Sequence, residues 1–207
     1  MRILKMMAAL MAALGIGAGA LYYVGFRTGE KSDAGSGVKP RATASNTEAA
    51  DLENTIHLDL KDGRVVIELR PDLAPNHVAR IKQLSRAGFY DGIVFHRVIA
   101  GFMAQTGDPT GTGAGGSELP NLQAEFSSKK HVRGIVSMAR SSNPNRANSQ
   151  FFIVYKDASW LDNQYTVWGR VTSGMEFVDN IRKGHPQSGE VDDPDKIVSM
   201  RVAADVK

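Results

Sequence analysis

The sequence predicts a mainly β domain, a closed or nearly closed antiparallel barrel with two α-helices over its ends. Three observations predict it. Short stretches with strand patterns recur through the body of the chain, only two stretches have helical patterns, and many of the 21 glycines fall between them. Alternating βαβ units are not indicated. A body of about 155 residues suits one domain with one core.

The body begins with a predicted β-hairpin. Thr55–Leu60 alternates apolar and polar residues, an Asp-Gly dipeptide at 62–63 is a turn signal, and residues 65–69 resume an apolar run. Pro75 suits the first turn of a helix that ends at Gly88. A second helix and five further strands are predicted, the helix at 175–183 and the strands at 93–98, 134–139, 149–154, 166–171 and 197–204.

The N-terminus carries an export signal. Residues 6–26 are 21 uncharged residues preceded by Arg2 and Lys5, and as a helix they would span roughly 31 Å, about one hydrocarbon core. Two interpretations stay open: an uncleaved inner-membrane anchor, or a signal peptide cleaved near Ala20. Both place the body in the periplasm. Residues 1–26 are therefore assigned to the signal or anchor, 27–50 to a flexible linker and 51–207 to the folded domain.

The charge distribution excludes a nucleic-acid partner. The net charge of +3 belongs to the first 50 residues, which hold six basic and three acidic side chains, whereas the body has 19 of each sign. The absence of cysteine excludes disulfides, thiolate nucleophiles and cysteine-ligated zinc. The five histidines have no metal-binding spacing, so no metal is expected.

The sequence supports neither a dinucleotide-binding site nor a hydrolase site. Gly111, Gly113 and Gly116 fit the dinucleotide pattern G-x-G-x-x-G, but no strand precedes them and no helix follows directly, which predicts a glycine-rich surface loop. No Gly-x-Ser-x-Gly motif is present and no Ser, His and Asp set is evident, so hydrolysis is not expected. The sequence indicates no cofactor.

Two stretches, 89–108 and 137–162, combine bulky apolar residues with a few polar ones. In the strand predicted at 93–98, alternation places Arg97 on the same face as Phe95. From the residues alone, Arg97 fits either a functional cation or an ordinary surface one. Phe102, Met103, Phe152 and Trp160 likewise fit either a binding site or an ordinary core.

The body resembles the cyclophilin family of peptidyl-prolyl cis/trans isomerases, particularly its bacterial members. The resemblance covers residues 53–205 and rests on five ordered motifs: Phe95-His96-Arg97, Gly101-Phe102-Met103, Gln105-x-Gly107-Asp108, Ser149-Gln150-Phe151-Phe152-Ile153 and Trp160-Leu161-Asp162. It implies a closed eight-stranded antiparallel β-barrel capped by two α-helices, with the substrate proline on an outer face.

The resemblance also implies the site residues. Arg97 and Gln105 match catalytic positions, and the indole of Trp160 matches the one that assists cyclosporin binding. Arg140 replaces an Asn common in eukaryotic members, which is expected to change sequence preference, and Tyr165 replaces a common His. The substrate-binding positions are Phe102, Met103, Arg140, Gln150, Phe152, Trp160, Leu161 and Tyr165.

The implied function is X-Pro isomerisation during the folding of exported proteins, by a monomer that binds proline-containing polypeptides without a cofactor. The alternative is a proline-peptide-binding chaperone module with little turnover. Rotation about the imide bond faces a barrier of ~18–20 kcal/mol. No bond to a new atom forms, so neither nucleophile nor metal is required. An arginine stays protonated and can donate to both the carbonyl and the proline nitrogen.

Overall fold

The computed structural model describes residues 48–49 and 51–206. The hydrophobic segment 1–26 and most of the linker 27–50, both predicted above, lie outside the described residues. Within the part that is described, no helix has the length and hydropathy needed to cross a bilayer.

Eight strands form one antiparallel sheet, as the resemblance implies. Their order across the sheet is β3-β4-β6-β5-β7-β2-β1-β8. The strands are β1 Thr55–Leu60, β2 Gly63–Leu69, β3 Arg97–Ile99, β4 Met103–Thr106, β5 Ile135–Met138, β6 Phe151–Val154, β7 Val167–Ser173 and β8 Ser199–Val202. The helices are α1 Pro75–Arg86 and α2 Met175–Asp179, with 3-10 turns at Pro144–Arg146, Ser159–Leu161 and Ala203–Asp205 and a helical turn at 51–53.

The sheet is a curled half-barrel. Among the described residues no continuous ladder joins the edge strands β3 and β8. The segments that precede them meet instead, because Val94 and Lys196 form an isolated antiparallel bridge and Phe95 N donates to Asp195 O at 2.9 Å. Complete ladder pairing around a closed barrel stays a prediction.

The predicted hairpin and first helix are confirmed. β1 and β2 pair in register from Thr55 with Glu68 to Leu60 with Gly63. Pro75 occupies the first turn of α1, where its missing N–H costs no hydrogen bond. The helix buries Val78, Ile81 and Leu84 in the core. Their spacing of three residues places them on one face of the helix.

Three elements differ from the prediction. The strand predicted at 93–98 is only Arg97–Ile99, since residues 93–96 hydrogen-bond irregularly to 195–197. β4 was not predicted, because Met103 and Ala104 are both buried and show no alternation. The second helix ends at Asp179 rather than 183. The chain there turns toward the sheet, where Gly184 N donates to Val98 O at 2.9 Å.

The sheet separates two apolar clusters, and β6 shows why. Its four residues are all buried, but Phe151 and Ile153 enter the large central core with the helices, while Phe152 and Val154 enter a smaller cluster. Successive side chains of a strand point to opposite faces. The smaller cluster, with Met103 and Leu161, therefore places an apolar surface on the face away from the central core.

Candidate active site

A cavity of about 320 Å³ opens on the smaller cluster; we call it the primary cavity. Nine of the ten site residues that the resemblance implies line it, and Ala139 completes the lining. The nine are Arg97, Phe102, Met103, Gln105, Arg140, Phe152, Trp160, Leu161 and Tyr165. The tenth, Gln150, lies beside the cavity and accepts a hydrogen bond from Gln105 Nε2 at 2.9 Å.

Strand register brings the polar and apolar parts together. Arg97 on β3 is opposite Gln105 on β4, which is opposite Phe152 on β6. Directly opposed residues share one face of a sheet, with Cβ atoms ~4.5–5.5 Å apart. Residues distant in sequence therefore form one row across three strands.

The walls of the primary cavity are apolar. Met103, Phe152 and Leu161 are at least 94% buried, and the Tyr165 ring meets Phe152 edge-on with centroids 5.6 Å apart. Trp160, by contrast, is 60% exposed, and its indole lies at 5.5 Å from the half-buried Phe102 ring. The result is an apolar slot with an indole open to solvent.

Arg97 is held by neutral acceptors. Its Nε donates to Ser188 O at 3.0 Å and its Nη1 to Gln105 Oε1 at 3.3 Å. Gln150 extends this chain, since its Nε2 donates to Gly115 O at 2.7 Å. A guanidinium has five N–H donors. Because no carboxylate of the described residues pairs with Arg97, its charge and remaining donors are available to a ligand.

Arg140 is fixed at the opposite rim. Its guanidinium carbon lies 4.5 Å from the centre of the Tyr165 ring, within cation–π range. Its Nη1 and Nη2 donate to the carbonyls of Ser141 and Gln164 at 3.0 and 2.9 Å. The side chain itself thus lines the site.

Comparison with known proteins decides the family. The family model "Cyclophilin type peptidyl-prolyl cis-trans isomerase/CLD" matches residues 55–202. The chain belongs to the cyclophilin-type peptidyl-prolyl cis-trans isomerases. A "Probable peptidyl-prolyl cis-trans isomerase" of Brucella suis is 56% identical over 171 residues, covering 77% of this chain and 87% of the relative. The rat "Peptidyl-prolyl cis-trans isomerase-like 3" is 44% identical over 133 residues, 62% of this chain and 81% of the relative.

Solved cyclophilin structures share the fold. The Hirschia baltica cyclophilin superposes with a TM-score of 0.69 at 27% identity, covering 82% of each chain. A Cryptosporidium parvum cyclophilin, crystallised in the presence of the dipeptide Ala-Pro, gives 0.66 at 31% identity and covers 72% of this chain and 98% of its own. The bacterial and cyclophilin character predicted from the motifs is confirmed, and the chain is a peptidyl-prolyl cis-trans isomerase.

The glycine-rich loop of this cyclophilin is built around Asp108. Residues 107–120 contain neither strand nor helix, as predicted. The buried carboxylate accepts from the backbone N–H groups of Thr110, Gly113 and Gly115 at 2.8, 2.6 and 3.1 Å. Burial alone would raise the pKa of Asp108, but these bonds lower it below its ordinary value. A Cβ on Gly115 would lie 2.2 Å from Asp108 Oδ1, so a side chain there requires the loop to move.

Beside the primary cavity the structure brings together a Ser, a His and an Asp that no pattern in the sequence indicated. His131 Nδ1 lies 3.1 Å from Asp162 Oδ1, and its Nε2 lies 2.9 Å from Ser137 Oγ. The carboxylate only accepts, so Nδ1 carries the proton and Nε2 accepts from Ser137. Ser137 is fully buried, which denies it any substrate.

This buried set supports the cavity wall. The His131 ring stacks on Phe152 with centroids 6.5 Å apart, and Asp162 directly follows Leu161. Hydrogen bonds led by His131 N lower the pKa of Asp162 to about 2, while burial lowers the pKa of His131 against the opposing effect of Asp162. The sequence held no local signal for this set, since six and 31 residues separate His131 from its two partners.

Proposed function

We propose that the primary cavity seats the substrate proline and that Arg97 stabilises the twisted imide. The observation that carries this proposal is an arginine without a carboxylate partner, held by Ser188 O and Gln105 beside the apolar walls. A dipeptide Ala-Pro accompanies the Cryptosporidium relative in its crystal structure, which supports proline-containing polypeptides as substrates here.

The chemistry follows from these positions. As the imide twists, resonance is lost and the proline nitrogen becomes pyramidal with a lone pair that accepts a hydrogen bond. Arg97 donates to that nitrogen and to the carbonyl, while Gln105 keeps the guanidinium from rotating away. Met103, Phe152 and Leu161 exclude water from the ring, which strengthens the interaction in the transition state more than in the ground state.

The Arg97→Ala variant of the full-length chain tests this role. Removing one oriented donor from such a site costs about 10²–10³ in rate, so kcat/KM for a prolyl peptide should fall by at least about 100-fold. Circular dichroism should remain unchanged. Arg170→Ala is the matched control, because Arg170 pairs with Glu68 and lines no cavity described here. Near wild-type turnover in Arg97→Ala would refute the assignment.

We propose further that the isomerase works outside the cytoplasm, on exported proteins during their folding. The support is the uncharged segment 6–26 behind Arg2 and Lys5, followed by a linker over 27–50 and the domain at 51–207. Cell fractionation with mass spectrometry of the mature N-terminus tests it. A start at Leu21 indicates cleavage and release, and a start at Met1 or Arg2 in the membrane fraction indicates an anchor. Recovery in the cytoplasm contradicts export.

The exposed indole of Trp160 supports cyclosporin as a ligand of the same site. It is the only large aromatic side chain of the described residues that is more than half exposed, and it lies on the cavity rim. We propose that the enzyme acts as a monomer, since nine of the ten expected site residues meet in one cavity within a single chain.

A further inference from the structure

A second cavity of about 390 Å³ adjoins the primary one; we call it the flanking cavity. The two share Gln105, Ala139 and Arg140. Its other lining residues are mostly glycines and polar groups, with one further arginine: Gly113, Ala114, Gly115, Gly116, Ser117, Asn121, Ser141, Arg146, Asn148 and Gln150. A peptide seated in the primary cavity would pass directly into this polar space.

The charges around the two cavities are uncompensated. Seven of the eleven arginines among the described residues form ion pairs with carboxylates. Of the other four, Arg97, Arg140 and Arg146 line the two cavities. The fourth, Arg80, donates to Pro120 O at 2.8 Å, next to the lining residue Asn121.

No carboxylate of the described residues lines either cavity. Asp108 contacts the glycine-rich loop but is not part of the cavity lining. It is 1% exposed, and its carboxylate oxygens already accept hydrogen bonds from Thr110, Gly113 and Gly115. Glu118 follows the lining residue Ser117 and is exposed, yet it is not part of the lining. The flanking cavity therefore presents the positive charges of Arg140 and Arg146 without a carboxylate of the described residues in its lining.

We propose that the flanking cavity receives an acidic side chain of the substrate, so that this isomerase prefers prolines with Asp or Glu nearby. The inference rests on the proposed seat of proline in the primary cavity. Arg140 is already fixed by Ser141 O, Gln164 O and the Tyr165 ring, so little side-chain freedom is lost when it meets a carboxylate. An extended chain advances ~3.3–3.6 Å per residue, which places the acid within about three residues of the proline.

Matched peptides test the preference. Each peptide carries Glu, Gln or Lys at one of the three positions on either side of proline, and kcat/KM is measured with the full-length chain. At one position or more, Glu should exceed Gln by about fivefold at low salt, and Lys should fall below Gln. The ratio should shrink as salt is raised, because exposed charges are screened beyond ~10 Å at 0.1 M. Equal rates for Glu and Gln peptides at every position would overturn the inference.

Variants assign the preference to the cavity. In Arg146→Gln the ratio of kcat/KM for the Glu peptide to that for the Gln peptide should fall below about twofold. Arg170→Gln makes the same charge change away from the cavities and should keep the preference. A preference that survives both Arg146→Gln and Arg140→Gln would overturn the assignment.

Binding separates this inference from the proposed catalytic role. Peptide affinity does not depend on turnover, so Glu and Gln peptides are also compared by calorimetry on Arg97→Ala. A tighter Kd for the Glu peptide there supports the flanking cavity whatever the rate of that variant. Equal Kd values there overturn the inference, even if Arg97 proves catalytic.

Discussion

Replacing the buried His131 with alanine should both destabilise the domain and loosen the wall of the primary cavity. The imidazole is 1% exposed and accepts a hydrogen bond from Ser137 Oγ, which is fully buried. Leaving that hydroxyl without a partner costs ~1–3 kcal/mol. Removing a buried side chain of ring size costs ~2–5 kcal/mol, and the lower end applies because the site adjoins an open cavity into which neighbouring side chains can relax.

Together these effects lower the free energy of unfolding by about 4 kcal/mol. For a domain of this size each kcal/mol shifts Tm by ~2–4 °C, so His131→Ala should melt about 12 °C below wild type. Phe152 loses the ring that stacks on it at 6.5 Å. Because a small displacement of groups near a reacting centre lowers the rate strongly, kcat/KM should fall about tenfold.

Thermal unfolding followed by circular dichroism, and an isomerisation assay well below the variant's Tm, measure the two effects. His185→Ala is the matched control, since His185 is exposed and contacts neither Ser137 nor Phe152. Ser137→Ala should also destabilise, and the double variant should be less unstable than the sum of the singles, because the two residues share one hydrogen bond. A Tm within 2 °C of wild type for His131→Ala, with full activity, would refute this reasoning.

Two further outcomes are expected. Burial lowers the pKa of four histidines, so the unfolded chain takes up protons first. The free energy of unfolding should then hold its full value above about pH 6.5 and fall as the pH drops from there toward the lowered pKa values of the folded state. Urea unfolding between pH 8 and pH 5 measures this dependence. A free energy of unfolding that does not change with pH contradicts it. The histidines are His57, His77, His96 and His131. Trp160→Ala should weaken cyclosporin inhibition at least about tenfold, as expected for an aromatic anchor. Val198→Ala is the control, because Val198 is an exposed apolar residue. Unchanged inhibition would show that Trp160 is not part of the ligand site.

The sequence predicted the fold where one face of an element is buried. β1 alternates strictly between buried and half-buried residues, and α1 buries residues at helical spacing, so periodicity located both. Around the site the sheet is buried on both faces. β6 is therefore buried throughout and β4 at three of its four residues, and of these two strands only β6 has an apolar run long enough to be recognised.

The site residues were predicted from ordered motifs rather than from physical patterns. Nothing in the spacing of Arg97, Phe152 and Tyr165 indicates that they line one cavity; strand register brings the first two together and an aromatic contact adds the third. The residues that support the cavity were missed for the same reason. Asp162 ends the motif Trp160-Leu161-Asp162, but His131 belongs to none of the motifs and meets Asp162 only through the folding of the chain.

The net charge of the domain does not indicate the flanking cavity, because a sum of charges does not show which charged side chains form ion pairs. The body holds 19 charges of each sign, yet seven arginines away from the two cavities pair with carboxylates, while no carboxylate of the described residues lines either cavity. In the proposed mechanism, a carboxylate in the lining would occupy the donors that the twisted imide requires. The proposed acid preference therefore follows from the same feature as the proposed role of Arg97, an arginine that no lining carboxylate pairs with.

Ala139 offers a direct test, since its 8%-exposed side chain lines both cavities between Arg97 and Arg140. Ala139→Asp and Ala139→Asn add side chains of equal size, so steric loss is common to both. Only Asp adds a charge that competes for the guanidinium groups. We expect kcat/KM of Ala139→Asp to lie about tenfold below that of Ala139→Asn, as a charge-assisted hydrogen bond of ~1.5–3 kcal/mol implies. The loss should reverse below the pKa of the new carboxyl. Equal rates for the two variants would mean that Arg97 tolerates a paired carboxylate, and that the unpaired arginines have no catalytic purpose.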